Sequence, residues 1–236
     1  FLTTFYYSFT DYRNINPTDL HFMGMANYLE VFNNELLRAS IKNSLIYAIL
    51  MTVFQTVFAI PLAVLLDRNL KTRNLLRMVF FMPAVFSSLI IGYLWNYMMS
   101  TSDFGMINNL LQAMGLQKIN FLGDGEIALY SVVATQLWQW TGWAMVIYLA
   151  NLQSIPKELY EAARIDGANS WQTFGRITLP MLNPSVTVVT ITAMVGGLKV
   201  FDIIFALTQG GPGYATETIM TAMLKKALND GFYAVG

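Results

Sequence analysis

The chain has 236 residues, of which 55% are apolar and only 12% charged, against about 25% charged in an ordinary soluble domain. Its 14 basic and 14 acidic residues cancel, so no net positive field invites nucleic acid, and the absence of cysteine excludes a disulfide framework, a thiol nucleophile and a thiolate metal site. His21 is the single histidine, and a metal site needs several ligands, so no metal is expected.

The charges are bunched, and the gaps between them predict an all-α, polytopic membrane protein. No Asp, Glu, Lys or Arg lies between Lys42 and Asp67, Arg77 and Asp103, Glu126 and Lys157, or Arg176 and Lys199. Each gap reaches the roughly 20 mostly apolar residues that cross a hydrocarbon core. Four such segments would leave a soluble chain too little polar surface.

In chain order, Phe1–Phe9 is apolar and aromatic but too short to span. It reads as the outer end of a first helix, about residues 1–10, and not as a signal peptide, since the basic start and small-residue cleavage site are missing. Complete spans are predicted at about 45–66, 78–99, 127–154 and 184–207, the third long enough to be tilted or to project. Basic residues in short loops set the orientation. The loop 67–77 carries Arg68, Lys71, Arg73 and Arg77 against Asp67 and is placed in the cytoplasm. The loop 103–126 carries Lys118 against Asp103, Asp124 and Glu126 and is placed outside. Alternation puts residues 155–182 inside and everything after about Lys199 outside. The segment before Lys42, with Asp11, Asp19, Glu30 and Glu35 against Arg13 and Arg38, also falls outside. No repeat or linker is visible, so residues 1–236 read as one transmembrane domain, ending at Gly236 without a closing span.

Two short helices are predicted in the inner loop. Pro156 suits a first helical turn, where its missing N–H is not needed. Glu158 and Glu161 favour the positive end of the helix dipole, and Gly167 offers a left-handed C-cap, giving a helix over Lys157–Asp166. A second starts near Asn169 or Ser170, both good N-caps, and is expected to end at Pro180. The pair is either an ordinary interfacial loop or a knob that fits a groove on a soluble partner.

The string itself carries more information. Glu161-Ala162-Ala163, then Asp166-Gly167, then Ile177, Leu179 and Pro180 resemble the cytoplasmic signature of permease subunits in binding-protein-dependent ABC importers. Ser8–Tyr12 (SFTDY), Gly24–Tyr28 (GMANY), Arg73–Trp95 and Phe201–Thr218 are similar to the maltose and multiple-sugar branch of that family. The resemblance implies the helical bundle of a type I ABC importer permease, with a six-span core of which about five spans are represented here. It implies a subunit that moves a sugar, chiefly an oligosaccharide, across the bacterial cytoplasmic membrane. The partners it implies are a second permease subunit, a dimer of cytoplasmic ATP-binding subunits, an extracytoplasmic sugar-binding protein and membrane lipid. Glu161, Ala162, Ala163, Asp166 and Gly167 would couple to the ATPase, with Glu161 meeting an Arg there. The chain has no G-x-x-x-x-G-K-[ST] phosphate loop, and Gly210–Gly213 lacks the Lys and reads as a tight turn. It is therefore expected to be no enzyme and to hold no cofactor, ATP and Mg being bound by the partner subunits.

Tyr93, Trp95, Tyr97 and Tyr130 fit the aromatic belt at a membrane interface. Gln136, Gln139, Trp140 and Trp143 fall instead in mid-span, with Gln136, Trp140 and Trp143 on one helical face. Such a face lines a cavity or a helix contact, and the residues alone leave both open. Gly196 and Gly197 permit close helix approach or leave room for a ligand. Lys199 and Asp202, three residues apart, are expected to pair near the outer interface in preference to the alternative, contact with substrate. The resemblance favours these two helices for the sugar path and adds Val200 to it. A glycerol-phosphate importer of the same architecture is an alternative, which a cluster of cavity Arg would have favoured. An ion-coupled secondary transporter would show mid-span acids, and a membrane enzyme a catalytic cluster; neither appears.

Overall fold

The computed structural model describes residues 2–12, 20–229, 231 and 233–234; Phe1, Arg13, Asp19 and Gly236, used above, lie outside them. The longest apolar run makes the longest helix, α3 (Glu35–Asp67). It is preceded by α1 (Leu2–Tyr7) and α2 (Ala26–Asn33), and followed by α4 (Arg73–Phe81), α5 (Ser88–Met99), α6 (Met106–Ala113) and α7 (Ala128–Ser154). Then come α8 (Lys157–Ile165), α9 (Ser170–Thr173), α10 (Leu179–Met181), α11 (Asn183–Leu198), α12 (Asp202–Leu207) and α13 (Ile219–Leu224). Among the described residues there is no strand, only an isolated bridge between Thr10 and Phe22.

Among the described residues, helix α3 alone is both long and apolar enough to cross a bilayer. Helix α7 has 27 residues, but its Ser, Thr and Gln residues dilute its apolar character. Two further spans exist only if bent pairs are counted together, with bends of 99° between Arg73–Val85 and Ser88–Met99 and 63° between Ser170–Met181 and Asn183–Leu198. The apolar run 78–99 is therefore interrupted, by a 3-10 turn over Met82–Val85 and an extended Phe86 (ψ 149°). Pro83 sits at the start of that turn, where the lack of an N–H does least harm. The run 184–207 is broken too, because α11 stops at Leu198 and α12 starts at Asp202.

Pro180 does not end the second loop helix. A π turn over Phe174–Thr178 leads into α10, and Pro180 occupies its first turn. The wider π turn relieves the clash that a proline ring otherwise makes one turn back, so the helical path continues to Met181.

Contacts divide the chain into two units, residues 1–47, 92–133 and 198–236 in one and 48–91 and 134–197 in the other. The second unit has a core built from Ala59, Ile60, Ala63 and Leu66 of α3, Ala144, Met145, Tyr148, Leu149 and Leu152 of α7, and Leu182 and Val189. Its fully buried alanines let helix backbones approach closely, the packing mode available where lipid supplies no hydrophobic drive. In the first unit Gly92 of α5 lies against the Ala206 methyl of α12, and Asn96 Nδ2 donates to the Leu207 carbonyl at 2.9 Å, closing the C-terminal end of α12. Buried Asn108 donates to the carbonyls of Met99, Ser100 and Ile119 and accepts from Ile119 N, tying α6 to the chain on both sides of it.

Candidate coupling loop and substrate pathway

The loop 155–182 is ordered from within. Helix α8 ends as the Gly predicts: Gly167 has φ +76°, Asp166 N donates to Ala162 O at 2.9 Å, and Ala168 N donates to Ala163 O at 2.9 Å. Ala163 is buried, and Tyr160 and Phe174 pack against the core of their unit. Tyr160 Oη and Thr178 Oγ1 lie 3.3 Å apart. Asn169 closes a capping box on α9, with its Oδ1 accepting from Gln172 N and Gln172 Oε1 accepting from Asn169 N, both at 2.9 Å. Glu161, Ala162, Asp166 and Gly167 remain exposed, as do Ile165 at 87% and Trp171 at 84%. One face of α8 is thus anchored and the other is free. That arrangement suits a projecting contact surface.

The candidate pathway residues divide by what surrounds them. Gln139 is fully buried; its Nε2 donates to Phe86 O at 2.9 Å and its Oε1 accepts from Ser88 Oγ at 3.2 Å. Both ends of the amide are engaged by the break between α4 and α5, where the helix ladder leaves backbone groups free. One turn away, Gly142 lies flush against the backbone of Phe80 and Phe81. Trp140 and Trp143 meet edge to face, with ring centroids 6.2 Å apart at 83°. Both are half-buried, and Trp143 packs on the core. The Trp140 carbonyl accepts from Gln55 Nε2 at 3.1 Å. Gln136 Oε1 is buried without a partner among the described residues. A Cβ at Gly196 would meet nothing within 4 Å, whereas one at Gly197 would lie 2.7 Å from Ala48 Cα. Val200 belongs to the other unit, where its carbonyl accepts from Thr218 Oγ1 at 3.1 Å.

Lys199 and Asp202 do not pair. The ion pairs among the described residues are Lys118–Asp103, Lys225–Glu217 and Lys226–Glu30. The helix breaks between Leu198 and Asp202, so a three-residue spacing no longer puts the two side chains on one helical face.

The sequence reading missed Gln55, Ser88, Thr56 and Asn151. Gln55 and Ser88 act as described; Thr56 Oγ1 lies 3.2 Å from Tyr148 Oη, and Asn151 Nδ2 donates to Met181 O and Ser185 Oγ at 3.1 and 2.9 Å. The available signal was that each is a polar residue inside or beside an apolar run, which in a membrane demands a partner.

Broken helices in an apolar chain, polar side chains that satisfy the breaks, and a projecting helical loop define a helical transport component of a membrane. The match to known proteins is correspondingly specific. The chain belongs to the binding-protein-dependent transport system inner membrane component family, which it matches over residues 36–235. It is 34% identical to a probable ABC transporter permease protein of Pyrococcus horikoshii, over 98% of this chain and 79% of that one. It is also 34% identical to a trehalose/maltose transport system permease protein of Thermococcus litoralis, over 91% and 72%. A solved bacterial alginate ABC transporter, in complex with an alginate pentasaccharide-bound periplasmic protein, contains a chain that superposes with a TM-score of 0.80 at 28% identity, covering 90% of this chain and 74% of that one.

Proposed function

We propose that this chain is a membrane-spanning subunit of an ATP-driven importer that carries a sugar, chiefly an oligosaccharide, across the bacterial cytoplasmic membrane. The observation that carries the reading is the loop 155–182: it presents Glu161, Ala162, Asp166 and Gly167 on the free side of α8 and its C-cap, while Ala163 is buried and Tyr160 packs on the core. Relatives named for trehalose/maltose and for alginate transport support the substrate class. In this reading the partners are a second permease subunit, a dimer of ATP-binding subunits that hold ATP and Mg, and an extracytoplasmic sugar-binding protein.

Closure of the ATPase dimer pushes α8. Force passes into the membrane through a contact rigid on both sides, and α8 has that rigidity through Ala163 and its C-cap. Glu161 supplies a charged hydrogen bond to the motor, of the kind that contributes about 1.5–3 kcal/mol, and Ala162 permits close approach. Trp140, Trp143, Gln136 and Gly196 line the sugar path, while Gln139 and Gly197 shape its walls through the bonds and contacts described. Aromatic faces and neutral amides suit a polyhydroxylated ring. Uptake of a panel of labelled sugars by cells lacking the gene, with and without complementation, tests the reading. Restored uptake of an oligosaccharide is expected; restored uptake of a glycerol phosphate alone, or of no sugar, refutes it.

A further inference from the structure

The loop between α12 and α13 is held by an acid with no exposure at all. Glu217 is 0% exposed, and its Oε2 accepts from Lys225 Nζ at 2.6 Å. The same ammonium donates to Gln209 O at 3.0 Å. Gln209 and Gly210 have φ of +52° and +89°, so two successive residues occupy the left-handed region, where a non-glycine residue is strained. A Cβ at Gly210 would collide with Glu217 Oε2 and come within 2.9 Å of Lys225 Nζ. On the other flank, Asn43 Nδ2 donates to Tyr214 O and Glu217 O at 2.8 and 3.0 Å, and Ile219 N donates to Ser44 Oγ at 2.9 Å. The apex of the loop, Gly213 and Tyr214, is exposed.

A buried ion pair is weak evidence for stability, because desolvation offsets the Coulomb gain and apolar residues of like volume do as well or better. Here Glu217 Oε1 has no partner among the described residues, which makes the pair poorer still as a stabiliser. What the pair supplies is geometry: it fixes a strained backbone turn from beneath and leaves the apex free. We propose that Glu217 and Lys225 are positioning residues that hold the loop 208–217 in the shape met by the extracytoplasmic binding protein. The inference rests on the importer reading, which puts this loop outside.

The test uses the whole complex in lipid nanodiscs. ATPase rate is measured against the concentration of binding protein saturated with the sugar found in the uptake panel. The two partners differ in exposure, with the Lys225 side chain 35% exposed and that of Glu217 0%. Lys225→Gln strands a buried carboxylate, whereas Glu217→Gln leaves an ammonium that reaches water. The half-stimulating concentration should therefore rise about tenfold or more in Lys225→Gln and about threefold in Glu217→Gln, and return close to the wild-type value in the double variant, which buries no charge and whose two amides can still hydrogen-bond between positions 217 and 225. The maximal stimulated rate should stay within about twofold, since the loop sets docking and not turnover. If Lys225→Gln fails to assemble, the single Glu217→Gln and the double variant carry the comparison. Unchanged half-stimulating concentrations, or a fall in maximal rate alone, overturn the inference and leave the importer reading intact. A wild-type complex that no binding protein stimulates overturns both.

Discussion

Two adjacent glycines near the end of α11 should answer oppositely to the same substitution. Neither Gly196 nor Gly197 has positive φ, so alanine is allowed by the backbone at both. Replacing glycine there stabilises by about 0.4–1 kcal/mol through the unfolded chain. At Gly196 nothing opposes this, because a Cβ meets no atom within 4 Å. At Gly197 the new methyl would lie 2.7 Å from Ala48 Cα and 2.9 Å from its Cβ. The obstacle is the backbone and methyl of α3, not the end of a flexible side chain, so one helix must move, which costs about 1–3 kcal/mol. The two variants should differ by that overpacking amount, about 1–3 kcal/mol, although they exchange the same atoms one residue apart. Membrane complexes do not unfold in one step, so the measurement is the order of thermal midpoints of the purified complex. Gly196→Ala should melt at or above wild type and Gly197→Ala below it. Equal midpoints, or the reverse order, would refute the packing argument. Uptake adds a second readout: Gly196→Ala should slow transport without lowering its midpoint, because its methyl projects into the open space assigned to the sugar.

Four further outcomes are expected. Cysteines introduced at Lys71 and Asn120 should react with an impermeant thiol reagent from opposite faces of the membrane; labelling of both from outside would invert or abolish the topology. Trp140→Ala should reduce uptake while the complex still assembles, the lost edge-to-face pair costing about 0.5–1.5 kcal/mol beyond the apolar area that the indole buries; disassembly would make Trp140 a helix contact instead. Gln139→Leu strands the Phe86 carbonyl and should destabilise by about 1–3 kcal/mol, and an unchanged thermal midpoint would contradict its role at the break. Glu161→Ala and Gly167→Val should abolish stimulation of ATPase by the loaded binding protein, the valine costing about 1–2 kcal/mol at its left-handed position; full stimulation in both variants would remove α8 from the coupling path.

Local signals were legible in the sequence and tertiary ones were not. The end of α8 at Gly167 and the start of α9 after Asn169 follow from residues that act within one turn, so both could be placed from the string. The broken spans could not. Residues 78–99 carry no charge, and a proline such as Pro83 does not by itself end a membrane helix, as the unbroken α3 with Pro61 inside it demonstrates. What fixes the break is Gln139, more than fifty positions along the chain, and no property of either segment announces that pairing. The same holds for Gly197, whose neighbour Ala48 lies in another helix, and for Glu217 with Lys225, which meet across the whole of α13. Gln136, Trp140 and Trp143 were recognisable as residues out of place in an apolar span, but only coordinates distinguish the side chain that satisfies a backbone break from the one left open.

Asn151 bears on how tightly the inner loop can grip. By joining α7 to Met181 and Ser185, it pins the base of the segment that runs from Ile155 to Leu182, so the two ends of that segment are already together before anything docks. A free loop of this length surrenders closure entropy when a partner fixes it, an amount that grows with the logarithm of its length. With the base closed and the interior capped, the exposed face around Glu161 and Trp171 meets its partner with that ordering already complete. A small surface then binds with a strength otherwise reserved for a larger one, because more of each contact survives as net affinity.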